Sequence, residues 1–275
     1  MATTPKGLIY LTGAVAACAI GIAVAQTSPA GQQPALEGPP APIATHPLSA
    51  QCSVPANEIA SPAPLPTLVN RLENHQPLRI LAIGSSSTWG VGATSSRKNY
   101  PSQLEIMLEK VLKDVPIEMI NRGVSGETAG TTADRLRMEA ALIKPDLVLW
   151  QVGTNDAVQR IPVDQFERTV SKTIAILKRK KIDVVLVGLQ YTPKFARDEH
   201  YFAIREALKR VAAEQNVLYV RRYTAMEYIA KTKASMQIMA DDDFHLNDVG
   251  YQCMAEHIAQ AVTANIFVRR RKPAS

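Results

Sequence analysis

The feature that most constrains the fold of this chain is a regular alternation of short apolar runs with longer segments of helical spacing. The runs are rich in β-branched residues and are bounded by polar or turn residues, as buried strands are. The intervening segments place apolar residues at helical spacing, for example Phe166, Val170, Ile174 and Leu177. Because strands that alternate with helices form parallel sheets covered on both faces, the sequence predicts an α/β fold. We expect a three-layer α/β/α sandwich with a mainly parallel sheet of about five strands. The predicted strands are 80–83, 117–120, 147–152, 184–189 and 217–220.

Residues 1–25 have the pattern of an export signal. Lys6 is followed by an apolar and small-residue stretch, 7–25, that ends in Ala23-Val24-Ala25, a pattern that signal peptidases accept. An uncleaved N-terminal anchor is the first alternative, because this stretch is nearly long enough to span a bilayer. A lipoprotein box that ends at Cys18 is the second alternative. Each interpretation predicts a secreted or periplasmic protein, and the anchor would add membrane proximity.

The rest of the chain divides by composition into three parts. Residues 26–74 are rich in Pro and Ala, lack periodicity and are predicted to form a linker. Residues 75–267 hold the predicted α/β domain, whose last helix is expected at about 248–267. Residues 268–275 form a basic tail that holds much of the formal net charge of +6 and is predicted to be a solvated end. Since the chain has no zinc-finger spacing or RNA-binding signature, no nucleic-acid partner is expected.

Two cysteines remain beyond the predicted signal, Cys52 and Cys253. An even number of cysteines in an exported chain favours a disulfide between them. The alternative is two unpaired buried thiols, because free cysteine is among the most buried residue types.

Polar, glycine-punctuated loops follow the first three predicted strands, and a fourth polar loop precedes the last predicted helix. In parallel sheets, ligands bind in the crevice beyond the carboxyl ends of the strands. The sequence therefore predicts that these four loops converge on one rim. The loops are 84–90, 121–128, 153–156 and 241–247.

Together the four loops contain the groups that ester hydrolysis requires. Ser86 is the candidate nucleophile, His245 the candidate base, and Asp242 the carboxylate that would fix the imidazole tautomer. Backbone N–H groups near Ser86 and Gly126 and the amide of Asn155 are the candidate oxyanion donors. Taken singly, these residues are equally compatible with turns, helix caps or a structural histidine, and their joint order favours the catalytic interpretation. The remaining histidines lack metal-ligand spacing, so neither a metal nor a cofactor is predicted.

In their order, the four loops resemble the sequence blocks of the SGNH hydrolases, also called GDSL esterases and lipases. The first block matches at Gly84 to Gly90, except that Ser85 stands where the family usually has aspartate, and the other blocks match at 124–128, 153–156 and 242–245. The resemblance implies a flavodoxin-like fold without metal or cofactor. It also implies a nucleophile at Ser86, a base at His245 with Asp242 as its partner, and oxyanion donors at Ser86, Gly126 and Asn155.

The expected activity is that of a serine esterase that hydrolyses carboxylic esters through an acyl-enzyme. A lipid, lysophospholipid, or acyl or aryl ester is the expected substrate, whereas a cell-envelope carbohydrate O-deacetylase or O-acyltransferase is the alternative. A non-catalytic ligand-binding module is a third hypothesis. Ser85 and Ser87 are interpreted as plain turn residues. Four aromatic residues are candidates either for an acyl or aryl pocket or for simple packing: Trp89, Tyr191, Phe195 and Tyr201.

Overall fold

Six strands form one sheet in residues 46–270, the part of the chain that the computed structural model describes. The strand order is β1-β6-β5-β4-β2-β3; β1 pairs with β6 in antiparallel fashion, and every other pairing is parallel. The α/β prediction and its five parallel strands are confirmed, and β1 adds a short antiparallel edge. The strands are β1 (Ala60–Ser61), β2 (Leu78–Gly84), β3 (Ile117–Gly123), β4 (Leu147–Gln151), β5 (Asp183–Val187) and β6 (Leu218–Val220).

Helices cover both faces of this sheet, as the alternation of strand and helix patterns predicts. Short 3₁₀ turns lie at Ala56–Glu58, Ser96–Lys98 and Pro193–Phe195. The helices are α1 (Pro66–Glu73), α2 (Ser86–Trp89), α3 (Tyr100–Val111), α4 (Ala129–Ile143), α5 (Thr154–Val158), α6 (Val163–Arg179), α7 (Glu199–Glu214), α8 (Arg222–Thr232) and α9 (Asp248–Arg270).

The two layers of helices are separated because successive strand residues point to opposite faces. In β2, Ile80 and Ala82 belong to the core formed with α1, α3, α8 and α9. Leu81 and Ile83 belong to the second core, which contains α4, α6 and α7. All four of these side chains are fully buried, which explains why the strand reads as a continuous apolar run.

The domain begins earlier than the predicted boundary at residue 75. Residues 46–74 include β1 and α1, and Leu68 and Leu72 of α1 are buried in the core. The carboxylate of Asp183 accepts the N–H of Leu68 at 2.8 Å and so caps the first turn of α1. The predicted linker is therefore wrong for residues 46–74. The apolar residues of this segment are few and are interrupted by prolines, so their burial depends on contacts with distant strands that periodicity does not reveal.

A disulfide joins Cys52 to Cys253, and the two Cα atoms are 4.9 Å apart. The bridge ties the segment that precedes β1 to the second turn of α9. The predicted pairing is confirmed.

Both ends of the chain lie outside the described residues. The predicted signal or anchor, the first part of the predicted linker (26–45) and the last five residues of the basic tail belong to these ends. The last helix runs to Arg270, slightly beyond its predicted end. Within residues 46–270, no helix is long and apolar enough to cross a membrane.

The topology places a crevice between β2 and β4. From β2 the chain moves to the edge strand β3 and then returns to the opposite side of β2 to form β4. At such a reversal of strand order, the loops at the carboxyl ends of the two strands diverge and leave space for a ligand. Ser86 begins the short helix α2 that follows β2, and Asn155 lies in the short helix α5 that follows β4.

Candidate active site

Ser86 lies at the carboxyl edge of the sheet, where α2 begins immediately after β2. At the end of β3, Gly123 allows the backbone of α2 to pass very closely, since a Cβ at this position would lie 2.1 Å from the nitrogen of Trp89. The N–H of Val124 donates to the carbonyl of Gly84 at 2.9 Å. These contacts fix the turn that presents Ser86 at the rim.

His245 contacts both of its predicted partners. Its Nε2 lies 2.9 Å from Oγ of Ser86, and its Nδ1 lies 2.5 Å from Oδ2 of Asp242. With the proton on Nδ1, the imidazole donates to the carboxylate and can accept the serine proton through Nε2. The structure thus brings together three side chains that the sequence places in two distant loops.

Asp242 is fixed by the loop that it shares with His245. Its Oδ1 accepts the N–H groups of Phe244 and His245 at 2.9 and 2.8 Å. Burial opposes ionisation of this carboxyl, but the hydrogen bonds from the His245 side chain and from the two N–H groups outweigh it and lower its pKa from 3.8 to about 2. Asp242 is therefore an anion at neutral pH and favours the Nδ1–H tautomer of His245.

Gly126 and Asn155 also lie together. The Asn155 side chain donates through Nδ2 to the carbonyl of Glu127 at 2.8 Å, and Gln159 donates to the carbonyl of Gly126 at 3.2 Å. Gly126 has a φ of +83°, which explains a glycine there, although a Cβ would meet no atom within 4 Å. Within residues 46–270, the N–H groups of Ser86 and Gly126 donate to no other residue. These N–H groups are therefore available to an oxyanion.

Asp156, the neighbour of Asn155, is buried and holds the start of α4 by hydrogen bonds. It is 1% exposed, and both of its carboxylate oxygens accept the N–H of Ala129 at the start of α4, at 2.9 and 3.1 Å. Burial raises the pKa of Asp156 to about 6, and its hydrogen bonds with backbone N–H groups oppose the shift only in part. Asp156 thus connects the Asn155 loop to the helix that follows the Gly126 loop.

Ser85 and Ser87 are not plain turn residues, and that interpretation is wrong. The N–H and the hydroxyl of Ser85 both donate to Oε1 of Gln151 at 3.0 Å. Ser87 is buried, and its hydroxyl contacts Oε1 of Gln190 at 3.2 Å and Nη2 of Arg222 at 3.0 Å. Both serines are held by polar side chains that lie far away in sequence.

Sequence reasoning therefore missed Gln151, Gln190 and Arg222. Gln151 carried a weak signal, because it is a polar residue at the end of an otherwise apolar strand. Gln190 and Arg222 carried no signal, since amide and guanidinium side chains are mostly exposed in folded proteins.

Three of the four aromatic candidates pack against other rings, whereas Trp89 is exposed beside Ser86. Tyr201 is buried and stacks on Phe195, with ring centroids 5.4 Å apart. Phe195 contacts the edge of Phe244 at 6.1 Å, and Phe244 contacts the His245 ring at 5.0 Å. This row of rings supports the histidine loop. Tyr191 packs against the edge of Tyr223, whereas Trp89 is 65% exposed on the helix that begins at Ser86.

No group of three or more His, Cys, Asp or Glu side chains in residues 46–270 could hold a metal ion.

Two curated proteins resemble the chain in sequence. An arylesterase of Vibrio mimicus is 26% identical over 190 residues, which cover 68% of this chain and 90% of the relative. An acetylxylan esterase of Geobacillus stearothermophilus is 23% identical over 166 residues, which cover 54% of this chain and 74% of the relative.

Solved structures resemble it in fold. A two-domain esterase active on acetylated mannans, crystallised with mannopentaose, superimposes with a TM-score of 0.66 at 19% identity. The match covers 81% of this chain, whereas the chain spans only 60% of that two-domain protein.

The fold, the four sequence blocks and these relatives define an ester hydrolase of the SGNH class. Within that class, the chain belongs to the Non-GDSL lipase-like family, whose model matches residues 51–267. The family name agrees with the first block, where Ser85 replaces the aspartate of the GDSL pattern. The match also begins within the segment that the sequence analysis assigned to the linker.

Proposed function

We propose that this protein hydrolyses carboxylic esters with Ser86 as nucleophile, His245 as general base and acid, and Asp242 as the carboxylate that orients the base. The observation that supports the proposal is the continuous pair of hydrogen bonds from Ser86 Oγ through the imidazole to Asp242, 2.9 and 2.5 Å long. A serine hydroxyl attacks an ester only when a base removes its proton, and this geometry supplies that base.

In the first half of the reaction, Ser86 Oγ attacks the ester carbonyl and transfers its proton to Nε2 of His245. The negative charge that forms on the carbonyl oxygen accepts hydrogen bonds from the N–H groups of Ser86 and Gly126 and from the Asn155 amide. The tetrahedral intermediate collapses when the bond to the alcohol oxygen breaks, and His245 returns its proton to the departing alcohol. The product of this half is an acyl-serine.

In the second half, His245 removes a proton from water, and the hydroxide attacks the acyl carbonyl. Collapse of the second intermediate releases the acid and restores the Ser86 hydroxyl. A sugar hydroxyl that replaced this water would receive the acyl group, so O-acyltransferase chemistry uses the same residues.

A second candidate function is the deacetylation of an acylated carbohydrate. The observation that favours it is Trp89, which is 65% exposed and lies one helical turn from Ser86. An exposed indole presents a flat apolar surface on which the apolar face of a sugar ring can pack. The relatives named for acetylxylan and acetylated mannans agree with such a substrate.

Ser86→Ala tests the reaction. We expect hydrolysis of p-nitrophenyl acetate to fall by about 10⁴-fold or more in this variant. Ser85→Ala is the matched control, which should retain most activity. An organophosphonate should add its mass to the wild-type peptide that contains Ser86. Equal activity of Ser86→Ala and wild type would overturn the proposal, and absence of both turnover and adduct would favour a binding module.

Trp89→Ala tests the carbohydrate substrate. We expect KM for acetylated xylo- or manno-oligosaccharides to rise while KM for p-nitrophenyl acetate stays unchanged. Phe202→Ala is the control, because Phe202 is 55% exposed on α7. A parallel rise for both substrates would contradict a sugar-binding role. Transfer of acetyl to an added oligosaccharide, measured by mass spectrometry, would identify an acyltransferase.

We also propose that the protein acts outside the cytoplasm. The apolar stretch 7–25 supports this proposal, and so does the Cys52–Cys253 disulfide, because such bonds persist mainly in oxidising compartments. Fractionation of cells that express the full chain tests it, together with N-terminal sequencing of the recovered protein. Recovery of the intact chain from the cytosol would refute it.

A further inference from the structure

Arg222 is a buried cation in an unfavourable position. It is 2% exposed and is the first residue of α8, where the helix dipole favours an anion rather than a cation. Within residues 46–270 it forms no salt bridge; its Nη2 donates to the Ser87 hydroxyl at 3.0 Å and to Oε1 of Gln190 at 2.9 Å. Burial lowers the pKa of its guanidinium. A buried charge that only neutral groups contact is costly to stability. The contacts of Arg222 therefore indicate its role.

Gln190, one of the two side chains that accept from Arg222, is also buried, with 1% of its surface exposed. Its Oε1 accepts from Arg222 and from Ser87, and its Nε2 donates to the carbonyl of Phe244 at 2.5 Å. A guanidinium has donors and no acceptor. Arg222 therefore forces the amide oxygen of Gln190 toward itself, and the amide nitrogen must then face Phe244.

The Gln190 amide connects the two loops of the reaction. One of its contacts, Ser87, directly follows Ser86, and the other, Phe244, directly precedes His245. The backbone of Gln190 is itself held, because its carbonyl accepts the hydroxyl of Tyr201 at 2.7 Å. A single fixed side chain thus spans the space between the residue after the nucleophile and the residue before the base.

We propose that Arg222 and Gln190 are positioning residues that hold the Ser86 turn and the His245 loop at reacting distance. The inference rests on the proposed function of Ser86 and His245. Arg222 fixes the orientation of the amide, and the amide holds the Phe244 carbonyl and thereby the imidazole. Neither side chain contacts the reacting atoms, and their effect is on geometry, where small displacements slow a reaction strongly.

Gln190→Glu separates positioning from stability. One carboxylate oxygen can keep the contacts with Arg222 and Ser87 and forms an ion pair with the guanidinium, so the melting temperature should not fall. The other oxygen would face the Phe244 carbonyl, and two acceptors repel. We expect kcat to fall about 10- to 100-fold, with KM changed by less than about threefold. Gln165→Glu, an exposed position on α6, controls for the added charge.

The double variant Arg222→Met/Gln190→Met is the second arm. The double substitution removes the buried cation together with the amide that accepts from it, so no buried charge is left without a partner, and this variant should fold while kcat stays low. Wild-type kcat in a folded Gln190→Glu or double variant would overturn the proposal.

A readout that does not depend on turnover distinguishes failure of this inference from failure of the proposed function. The proton between His245 Nδ1 and Asp242 should give a far-downfield NMR resonance in wild type, which the Gln190→Glu substitution should shift or broaden. An unchanged resonance in Gln190→Glu would overturn the positioning role even if the wild-type protein showed no esterase activity. If wild type had no esterase activity but Gln190→Glu still shifted the resonance, the positioning role would be supported and the proposed reaction rejected.

Discussion

Oε1 of Gln151 accepts both the N–H and the hydroxyl of Ser85, each at 3.0 Å. Ser85 stands where SGNH hydrolases usually have aspartate, whose carboxylate could order the loop by accepting hydrogen bonds. Here the acceptor comes from the end of β4 instead, and the same oxygen lies 3.4 Å from the hydroxyl of Thr88. A neutral amide on the neighbouring strand therefore anchors both ends of the turn that contains Ser86.

Replacement of Gln151 should harm the protein more than replacement of Ser85. Gln151→Leu leaves the N–H and hydroxyl of Ser85 without their acceptor, and we expect the free energy of unfolding to fall by roughly 2–4 kcal/mol. Ser85→Ala removes one hydrogen bond and should cost about 1 kcal/mol. Urea unfolding measures both. A Gln151→Leu variant as stable as Ser85→Ala would show that Gln151 does not anchor the turn.

Asp242→Asn should abolish most activity without unfolding the protein. An asparagine cannot stabilise the imidazolium that forms when His245 accepts a proton, and it permits the wrong tautomer. We expect kcat to fall on the order of 10²- to 10⁴-fold. The neighbouring exposed residue supplies a control, Asp241→Asn, which should leave kcat unchanged. Comparable kcat values for the two variants would contradict the role of Asp242.

The lowered pKa of Asp242 also predicts how the stability of the fold changes with pH. Since its folded pKa of about 2 lies below its ordinary value of 3.8, ionised Asp242 stabilises the fold above pH 3.8. That contribution is lost as pH falls from 3.8 toward 2. Unfolding measured over this range should show a smaller pH dependence in Asp242→Asn than in wild type.

The sequence predicted the strands and the Ser86, His245 and Asp242 contacts for definite physical reasons. A strand covered on both faces must be apolar throughout, so a run such as Leu147 to Leu149 identifies itself. The carboxyl ends of parallel strands share one edge, so the polar loops after them could be expected to meet. The residue pattern within each short segment, and the order of the segments along the chain, were therefore enough to predict these features.

The features that the sequence could not reveal depend on partners that are distant in the chain. Segment 46–74 has the sequence pattern of a linker, because its few apolar side chains are buried only against strands that lie further along the chain. Arg222 and Gln190 are separated by 32 positions, and no local pattern indicates that a guanidinium will be buried beside an amide. Long-range polar contacts leave no periodicity in the sequence.

Asp156 should make stability decrease as pH rises. Its pKa is raised from 3.8 to about 6, so the protonated form stabilises the fold fully below pH 3.8 and this contribution disappears as pH passes 6. Asp156→Asn removes the charge while its amide oxygen can still accept from Ala129. Relative to wild type, this variant should therefore gain roughly 2–3 kcal/mol between pH 4 and pH 7.

Chemical unfolding at several pH values measures that gain. Asp134→Asn is the control for loss of an acidic side chain, because Asp134 lies on α4 with a side chain that is 75% exposed. A stability difference between Asp156→Asn and wild type that stays constant from pH 4 to pH 7 would mean that Asp156 is ionised in the fold throughout.

The Cys52–Cys253 bridge should contribute much of the stability of the domain. It joins residues 201 positions apart and restricts the unfolded chain over nearly all of the described sequence. We expect Cys52→Ala/Cys253→Ala to lose roughly 2–5 kcal/mol of unfolding free energy. The folded variant should retain kcat at low temperature, because neither cysteine takes part in the hydrogen bonds that join Ser86, His245 and Asp242.

A reducing agent separates loss of the bond from loss of packing at these two buried positions. Dithiothreitol should lower the melting temperature of wild type toward that of the double variant, because reduction removes the same restriction on the unfolded chain. It should leave the double variant unchanged, since that protein has no bond to reduce. If dithiothreitol had no effect on wild type while free-thiol titration showed complete reduction, the stability would come from packing around Cys52 and Cys253 rather than from the covalent link.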